Sequence, residues 1–253
     1  MQRWAGKLAL VTGASSGIGA AIVRDLAKQG VNVVTLARRQ DRLQALAEEM
    51  KGEKGRIYPL KADLAQEEEI VRSFKWIETN LKSPVHILVN NAGLSILGDT
   101  IDGKMDDWRK MFELNVIAVG ACIREHVQSM KRHNVNDGHI IDICSIVAHR
   151  IIDFPGFYVY TATKQAVKAI TEGVRQELLK ANSQTRVTTV SPGYVESELF
   201  AKAENYSEQS KSALVVLPRL QPSDVSGAVI YALKLPQHVR IHDITIQSTS
   251  EKF

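Results

Sequence analysis

Tyr160 and Lys164 are spaced so that a phenol and an ammonium can act together. Residues at i and i+4 lie on one face of a helix, so both side chains can point into the same cleft. A nearby cation stabilises tyrosinate and lowers the pKa of a phenol from about 10 towards neutral pH, as a proton donor to an alkoxide requires. Tyr158 lacks this arrangement, because Ala162 occupies its i+4 position. Taken alone the spacing is a weak signal, since a surface pair on an amphipathic helix also produces it.

A glycine-rich turn follows the apolar segment 7–11 and has the sequence Thr12-Gly13-Ala14-Ser15-Ser16-Gly17-Ile18-Gly19. Glycines allow a tight turn, a close approach of the backbone to a pyrophosphate, and close packing of a helix on a strand. The N-terminus of the following helix then faces the anion. The spacing is Gly-x-x-x-Gly-x-Gly rather than Gly-x-Gly-x-x-Gly, and a purely structural turn is the alternative. The context of strand, turn and helix predicts a dinucleotide-binding site.

Two arginines, Arg38 and Arg39, follow the second predicted strand at 32–36. An NAD-binding enzyme commonly has a carboxylate near this point, against the ribose hydroxyls, whereas this chain has Ala37. Guanidinium groups bind phosphate through paired hydrogen bonds, so the site is predicted to prefer NADP. Arg38 is the stronger candidate for the 2′-phosphate, and Arg39 would reinforce the positive field. The alternative is a pair of solvated surface side chains.

Short apolar segments alternate with longer amphipathic ones along the chain. The predicted strands are 7–11, 32–36, 57–61, 87–89, 139–143, 186–190 and 241–246, and the predicted helices are 17–29, 41–50, 66–80, 106–133, 157–181 and 223–233. This alternation favours a parallel α/β sheet. No repeat or linker divides the pattern, so residues 1–253 are expected to form one domain. The irregular stretch from about 198 to 220 is the candidate substrate lid.

Charge and cysteine content argue against several classes of function. The net charge of +4 comes from 32 basic and 28 acidic residues spread along the chain, which disfavours a nucleic-acid interface. The two cysteines, Cys122 and Cys144, lie in apolar segments without metal-ligand spacing, so we predict buried thiols and no metal site. No segment approaches the roughly 18 apolar residues of a membrane span, and the N-terminus does not resemble a signal peptide. We therefore expect a cytoplasmic protein.

Together these motifs resemble the short-chain dehydrogenase/reductase family over nearly the whole chain. The family's other motifs follow in order: Asp63-Leu64 after the third strand, Asn90-Asn91-Ala92-Gly93 after the fourth, Asn115 in the long helix, Ser145 after the fifth strand and Pro192-Gly193 after the sixth. The resemblance implies a three-layer Rossmann fold with a doubly wound, mostly seven-stranded parallel sheet. It also implies an enzyme that interconverts an alcohol and a carbonyl compound.

The resemblance assigns roles to individual residues. Tyr160 would exchange a proton with the substrate oxygen, and Ser145 would hydrogen-bond that oxygen. Lys164 would hold the nicotinamide ribose, and Asn115 would hold a water of the proton relay. The remaining cofactor contacts would come from Gly13, Ser15, Ser16, Gly17, Ile18 and Gly19 at the pyrophosphate, Asp63 and Leu64 at the adenine, Asn90 and Gly93 at the ribose, and Pro192, Gly193, Val195 and Ser197 at the nicotinamide.

Three departures from the family pattern limit this transfer. Ser145 and Tyr160 are separated by two more residues than is usual, which reshapes the substrate mouth. Segment 243–253 lacks the usual Asp-Gly-Gly ending, so no C-terminal contact is inferred. Ser16 stands where many NADP-preferring members have a basic residue, so the NADP prediction depends on Arg38 and Arg39.

Within the family the sequence is most similar to insect farnesol dehydrogenases and mammalian keto-steroid reductases, through segments 36–39 and 144–150 and the enlarged spacing. A hydrophobic substrate such as farnesol or another isoprenoid is predicted from 214–217 in the lid and from Ile151, Ile152, Phe154 and Phe157. A keto-steroid or a retinoid is the alternative substrate.

Other functions and the assembly state stay open at this point. A catalytically silent NADP(H)-binding sensor or scaffold would need none of Asn115, Ser145, Tyr160 and Lys164. A sugar-nucleotide epimerase is disfavoured by the glycine spacing and the short C-terminal portion. Helices 106–133 and 157–181 resemble those that pair in family dimers and tetramers, so a homodimer or homotetramer is expected, although such apolar faces can also be ordinary core.

Overall fold

The computed structural model describes residues 1–201 and 218–251, without the side chains of residues 200 and 201. The strands are β1 (Leu8–Thr12), β2 (Asn32–Ala37), β3 (Ile57–Lys61), β4 (Val85–Asn90), β5 (His139–Ile143), β6 (Arg186–Pro192) and β7 (Asp243–Ile246). They form a seven-stranded, wholly parallel sheet in the order β3-β2-β1-β4-β5-β6-β7. The predicted parallel sheet is confirmed.

Helices connect the strands within the described residues. They are α1 (Gly17–Lys28), α2 (Gln40–Glu49), α3 (Glu67–Leu81), α4 (Met105–Phe112), α5 (Ala118–Arg132), α6 (Tyr158–Lys180), α7 (Glu198–Ala201) and α8 (Pro222–Lys234). The predicted start of α8 is correct to one residue, because Pro222 occupies its first turn and Gln221 and Asp224 form a reciprocal capping box.

The two faces of the sheet are covered by different helices. Ala9 and Val11 of β1 face a core that is completed by α1, α2 and α8. Leu8 and Leu10 of the same strand face a core that is completed by α3, α5 and α6. Successive side chains of a strand point to opposite faces, so an apolar strand can fill both cores. The result is the three-layer, doubly wound fold expected from the sequence.

The strand order reverses at β1, which pairs with β2 on one side and with β4 on the other. From this point the chain runs outward to β3 in one direction and to β7 in the other. The loops that follow β1 and β4 therefore diverge, which opens a crevice at the carboxyl ends of the strands. The fold thus places the glycine turn and the Asn90–Gly93 motif beside each other.

The prediction of one helix over 106–133 is correct in extent, because the chain is helical without a break from Met105 to Arg132, but the helix is not regular. The segment is divided into α4, a π-helical turn at Glu113–Ile117, and α5. A π turn takes one residue more than an α turn and often lies at a functional position. The extra residue accompanies the buried Asn115, whose amide is bonded to Leu94 and Thr163 outside its own helix. The 3.6-residue period of the sequence could not reveal this interruption.

Most of the predicted lid, residues 202–217, lies outside the described residues, and so does the apolar segment 214–217. The described ends of the lid are α7 and Leu220, which forms an isolated parallel bridge with Val195.

Candidate active site

A cleft of ≈ 890 Å³ opens at the carboxyl ends of the strands. Its walls come from the loops after β1 to β6 and from α4 and α6. The predicted site residues that line it are Gly13, Ser15, Ser16, Gly17, Ile18, Arg38, Arg39, Asp63, Leu64, Gly93, Ser145, Tyr160, Lys164, Pro192, Gly193, Val195 and Ser197. Three other predicted residues, Gly19, Asn90 and Asn115, are not among the lining residues. The fold therefore gathers residues from distant parts of the sequence around one cavity.

The glycine turn has a backbone that other residues would not adopt readily. Gly13 and Gly17 have φ values of +64° and +55°. A Cβ at Gly13 would lie 2.8 Å from the Cα of Ala92, so the turn after β1 packs directly on the turn after β4. A Cβ at Gly19 would lie 2.5 Å from Nδ2 of Asn91. Gly19 thus permits close packing of α1 and does not face the cleft.

Thr12 and Asn91 fasten these two turns together. Oγ1 of Thr12 accepts hydrogen bonds from the backbone N–H groups of Asn91 and Ala92, both at 3.0 Å. Nδ2 of Asn91 donates to the carbonyl oxygen of Thr12 at 2.9 Å and to that of Gly13 at 3.2 Å. Asn91 was not singled out from the sequence, although it lies within the quoted motif. Its side chain holds the walls of the cleft in place.

Arg38 and Arg39 occupy different environments. Arg39 is half-buried, and its Nη2 donates to Oγ of Ser15 at 2.8 Å and to Oγ of Ser16 at 2.9 Å. Its Nη1 donates to Oε2 of Glu198 at 2.6 Å. Arg38 is exposed and lines the cleft without a hydrogen bond or ion pair to the part of the chain described. Arg38 is therefore the arginine available to an incoming anion.

Tyr160, Lys164 and Ser145 meet on one wall of the cleft. Tyr160 and Lys164 lie in the first turns of α6 and are buried, with exposed fractions of 4% and 5%. Nζ of Lys164 lies 5.7 Å from the centre of the Tyr160 ring and donates to the carbonyl oxygen of Ile143 at 3.0 Å. Ser145 follows β5 and lines the same cavity. The structure brings the phenol and the ammonium to one cavity, as the spacing predicted, and the hydroxyl of Ser145, which the resemblance suggested, lines the same cavity.

Tyr158 has a different environment from Tyr160. Its side chain is exposed, and its hydroxyl donates to Oδ1 of Asp153 at 2.9 Å. That hydrogen bond to a carboxylate raises the pKa of the Tyr158 phenol. Tyr158 does not line the cleft, in agreement with the absence of a lysine at its i+4 position.

Asn115 is held from several directions at the π turn. Its Oδ1 accepts from the backbone N–H of Leu94 at 2.9 Å, and its Nδ2 donates to the Leu94 carbonyl at 2.8 Å and to Oγ1 of Thr163 at 3.1 Å. Gly93 lies between this amide and Lys164, because a Cβ there would be 3.3 Å from Oδ1 of Asn115 and 3.9 Å from Nζ of Lys164. Asn115 ties the Asn90–Gly93 motif to α6.

Asn90 and Asp63 have partners that the sequence did not suggest. The Asn90 side chain is buried, and its Nδ2 donates to Oδ1 of Asp142 at 2.8 Å. The Asn90 side chain was predicted to lie beside the ribose, but it is hydrogen-bonded inside the sheet instead. Asp63 lines the cleft, and its Oδ1 accepts from the backbone N–H of Ala65 at 3.2 Å, which shapes the turn after β3.

The loop after β6 contributes a second set of lining residues. The Gly193 N–H donates to the carbonyl oxygen of Ile246 at 2.8 Å. The carboxylate of Glu251 packs against Gly193 and accepts from the backbone N–H of Tyr194 at 3.3 Å. Burial raises the pKa of this carboxyl group. The C-terminal segment, from which no contact was inferred, thus braces this loop.

An apolar cluster surrounds Tyr160 on the side away from the glycine turn. Met111, Ile146, Val147 and Val159 are buried within it, and Ile152, Phe157 and Leu199 pack against it. The rings of Phe157 and Tyr160 are stacked with their centres 4.8 Å apart. Of the residues expected to form a hydrophobic mouth, Ile152 and Phe157 join this cluster, whereas Ile151 is exposed.

Comparison with known proteins identifies the family. Residues 7–208 match the model of the short chain dehydrogenases. The chain belongs to this family. It is 44% identical to the dehydrogenase/reductase SDR family member 11 of Gallus gallus over 99% of both chains, and 44% identical to the farnesol dehydrogenase of Aedes aegypti over 100% of both. The closed form of a serine dehydrogenase complexed with NADP+ superposes with a TM-score of 0.86 at 29% identity, covering 97% of this chain and 96% of that one.

As a short-chain dehydrogenase, the protein is an oxidoreductase. The motifs of the family lie in the expected order along the chain, and the fold matches that of solved relatives. Within residues 1–201 and 218–251, no three His, Cys, Asp or Glu side chains are grouped as metal ligands would be. In the same ranges, no helix combines the length and apolar character needed to cross a bilayer.

Sequence reasoning on this short-chain dehydrogenase missed four polar residues at or near the cleft: Asn91, Asp142, Glu198 and Glu251. Asp142 carried a visible signal, because it is the one charged side chain in the five-residue strand β5. Asn91 directly follows Asn90, which was predicted to contact the cofactor. Glu198 and Glu251 carried no local signal, since their partners are 159 and 57 residues away in sequence.

Proposed function

We propose that this protein is an NADP(H)-dependent oxidoreductase that interconverts a hydrophobic alcohol and its aldehyde or ketone. The observation that carries the proposal is that Tyr160, Lys164 and Ser145 lie on the wall of the same cleft that the glycine turn lines. Buried titratable side chains that converge in a large cavity are typical of an active site.

The residues present fit a dinucleotide with a 2′-phosphate. The glycine turn leaves no room for a Cβ at Gly13, and α1 begins at Gly17, so its N-terminus is open to an anion. Arg38 offers a guanidinium at the end of β2, and Ala37 stands where an NAD-binding enzyme commonly has a carboxylate. The bound NADP+ in the solved serine dehydrogenase supports this assignment. When bound, the nicotinamide supplies hydride chemistry.

Side chains of this protein would transfer the proton and hydrogen-bond the oxygen of the substrate. The Tyr160 hydroxyl would donate its proton to the carbonyl oxygen in reduction and accept it back in oxidation. The Ser145 hydroxyl would hydrogen-bond the same oxygen as negative charge develops. The Lys164 ammonium would favour the tyrosinate electrostatically. Asn115 would hold the loop after β4 against α6, and with it the geometry of this wall.

A hydrophobic substrate is supported by the apolar cluster around Tyr160. Leu94, Ile96 and Leu199 belong to this cluster and line the cleft, and burial of an isoprenoid chain against them would stabilise the complex by about 25 cal/mol for each Å² removed from water. The 44% identity to a farnesol dehydrogenase favours an isoprenoid alcohol such as farnesol. A keto-steroid or a retinoid would use the same chemistry and the same apolar wall.

The proposal is tested by following NADPH absorbance with a panel of isoprenoid, steroid, retinoid and short aliphatic alcohols and carbonyls. We expect turnover with the apolar members and its loss in Tyr160→Phe, which removes one hydroxyl. Tyr158→Phe is the matched control, because it removes one hydroxyl from the same helix at a residue that does not line the cleft.

The outcomes separate the candidate functions. NADPH binding without turnover of any panel member would favour the silent sensor or scaffold. Turnover that persists in Tyr160→Phe would overturn the assignment of the proton donor, and turnover confined to short polar substrates would overturn the assignment of the substrate class.

We also propose that the chain assembles as a homodimer or homotetramer through the outer faces of α5 and α6. Exposed apolar side chains, Ile117 before α5 and Leu179 in α6, support this arrangement. A Cβ at Gly120 or Gly173 would meet no atom within 4 Å, so these faces are open to close approach. A cytoplasmic location stays a prediction.

A further inference from the structure

Asp142 is a buried carboxylate that the proposed mechanism does not use. It lies in β5 with an exposed fraction of 1%, in a strand whose other residues are also buried. Its Oδ1 accepts from Nδ2 of Asn90 at 2.8 Å, and its Oδ2 lies 2.7 Å from Oγ1 of Thr171, which is in position to donate. A buried carboxylate of this kind is costly unless it has hydrogen bonds and a compensating charge.

The compensating charge is that of Lys164, which contacts the backbone next to Asp142. Lys164 donates through Nζ to the carbonyl oxygen of Ile143, the residue that follows Asp142. Thr171, the hydrogen-bonding partner of Asp142, lies seven residues after Lys164 and so two turns along α6 on the same face. The carboxylate therefore lies between β4, β5 and α6, beneath the catalytic wall.

The electrostatic coupling runs in both directions. Burial lowers the pKa of Lys164, and Cys144 and, after it, Asp142 oppose that decrease. Burial raises the pKa of Asp142, and the hydrogen bonds from Asn90 and Thr171 and the charges of Lys164 and Arg175 oppose that increase. Two buried thiols, Cys122 of α5 and Cys144 after β5, also face this carboxylate, and burial raises the pKa of each.

Arg175 is the other cation near Asp142, and much of its hydrogen bonding is directed elsewhere. Its Nη1 contacts the Glu172 carboxylate, and its Nη2 donates to the carbonyl oxygen of His242 at 3.3 Å and to that of Val187 at 3.5 Å. Lys164 has no carboxylate within ion-pair distance in the described ranges, and Asp142 is the carboxylate that acts on it at longer range, beside the thiol of Cys144.

We propose that Asp142 is an ionised positioning residue that keeps the buried Lys164 protonated beneath the active site. The inference rests on the proposed function of Tyr160 and Lys164, and it adds a third member to that pair. Asp142 does not line the cleft, and the field of its charge acts on Lys164 and on the Tyr160 phenol that is coupled to it.

The proposal fixes the direction of a measurable effect. A negative charge near Tyr160 and Lys164 favours the protonated form of both groups. Removal of that charge makes proton loss easier for both, so the apparent pKa values of the coupled pair should fall together. A purely structural Asp142 that carries a proton would leave these values unchanged when it is replaced by an amide.

The test is Asp142→Asn, which preserves shape, removes the charge and replaces one oxygen by an NH2 group that can donate to Oγ1 of Thr171. We expect the pH profile of kcat, in either direction of the reaction, to move about one pH unit towards acid. Ile141→Val, in the same strand, is the matched control for lost packing, and its profile should coincide with that of the unmodified protein. An unmoved profile in an active Asp142→Asn protein would overturn the proposal.

A second readout does not depend on turnover. Ultraviolet titration of tyrosinate, in the full chain and in Tyr160→Phe, gives the ionisation of Tyr160 by difference. In the Asp142→Asn background this ionisation should also shift towards acid, and an unshifted titration contradicts the role of Asp142. If the chain turns over no substrate, the proposed function fails while this titration still decides the electrostatic role.

Discussion

Nη1 of Arg39 donates a 2.6 Å hydrogen bond to Oε2 of Glu198. Glu198 also accepts from Nη1 of Arg42 at 2.5 Å, and these two hydrogen bonds hold the pKa of its carboxyl group at about 2. Arg39 shares this single carboxylate with Arg42 and is also bonded to the serines of the glycine turn. The hydrogen-bonding groups of Arg39 are therefore largely engaged, and Arg38 is the arginine left to bind a 2′-phosphate directly.

Arg38→Asp should reverse the cofactor preference. We expect the unmodified protein to bind NADP(H) at least about tenfold more tightly than NAD(H), a difference of about 1.4 kcal/mol or more. The aspartate removes the guanidinium and adds a carboxylate that repels the phosphate. Calorimetric titration with both cofactors measures the change. Equal affinities in the unmodified protein, or an unchanged preference in Arg38→Asp, would contradict the assignment.

Ser145→Ala and Lys164→Ala should affect turnover and cofactor affinity differently. Loss of the Ser145 hydroxyl should lower kcat by about 100-fold with little change in NADPH affinity, because a hydrogen bond to the developing oxyanion is removed. Lys164→Ala should weaken both, because the ammonium is proposed to contact the ribose as well. Single-turnover kinetics and fluorescence titration separate the two quantities. Equal loss of NADPH affinity in both variants would argue against these roles.

Thr12→Val should destabilise the fold. The substitution keeps the shape of a side chain that is 2% exposed, but leaves the N–H groups of Asn91 and Ala92 without their acceptor. We expect the free energy of unfolding to fall by about 2 kcal/mol, as measured by urea denaturation. Thr35→Val is the control, because the hydroxyl of the buried Thr35 makes one long bond of 3.5 Å to Tyr58. Equal losses in the two variants would contradict the role of Thr12.

Acid should destabilise the protein through buried histidines. Burial lowers the pKa of His126 to about 3 and that of His86 to about 4, from an ordinary value of 6.5. Both are neutral in folded and unfolded chains above pH 6.5, so the stability is complete there. Below this pH the unfolded chain binds more protons, and the free energy of unfolding should fall by up to about 1.4 kcal/mol per pH unit for each histidine.

The variant His126→Leu isolates the contribution of one histidine. Both ring nitrogens of His126 are buried without a hydrogen-bond partner in the described ranges, so leucine sacrifices no bond to them. The slope of unfolding free energy against pH between about 6.5 and 4 should decrease by up to about 1.4 kcal/mol per pH unit, which corresponds to one bound proton. An unchanged slope, measured by urea denaturation across this range, would show that His126 does not drive acid unfolding.

Gly173→Glu should disrupt the proposed assembly. Gly173 lies on the exposed face of α6 with no atom near its absent Cβ, so the isolated chain can accommodate the glutamate. A buried charge at a subunit contact would be costly. Analytical ultracentrifugation at micromolar concentration should give a dimer or tetramer for the unmodified protein and for Gln44→Glu in α2, and smaller species for Gly173→Glu. A monomer in all three would refute the assembly.

Much of the fold was predictable, because its signals are local. The alternation of apolar strands with amphipathic helices predicted the parallel sheet, and the glycine turn predicted a dinucleotide-binding turn after the first strand. The π turn within 106–133 was not predictable, since an added residue in one turn leaves the apolar spacing on either side almost intact. The predicted site residues mostly share one cleft. The partners of Asn90, Arg39 and Gly193 depend on tertiary contacts and could not be derived from sequence spacing.

The π turn at Glu113–Ile117 sets the angular phase between α4 and α5. Each helical residue advances the chain by about 100°, so deletion of one residue within the turn would allow a regular α-helix but rotate everything before it by that angle. Met111 would then leave the apolar cluster around Tyr160, and the outward side of α4 would turn towards the substrate. Related chains that lack one residue here should therefore present a different surface to their substrates while keeping the same sheet.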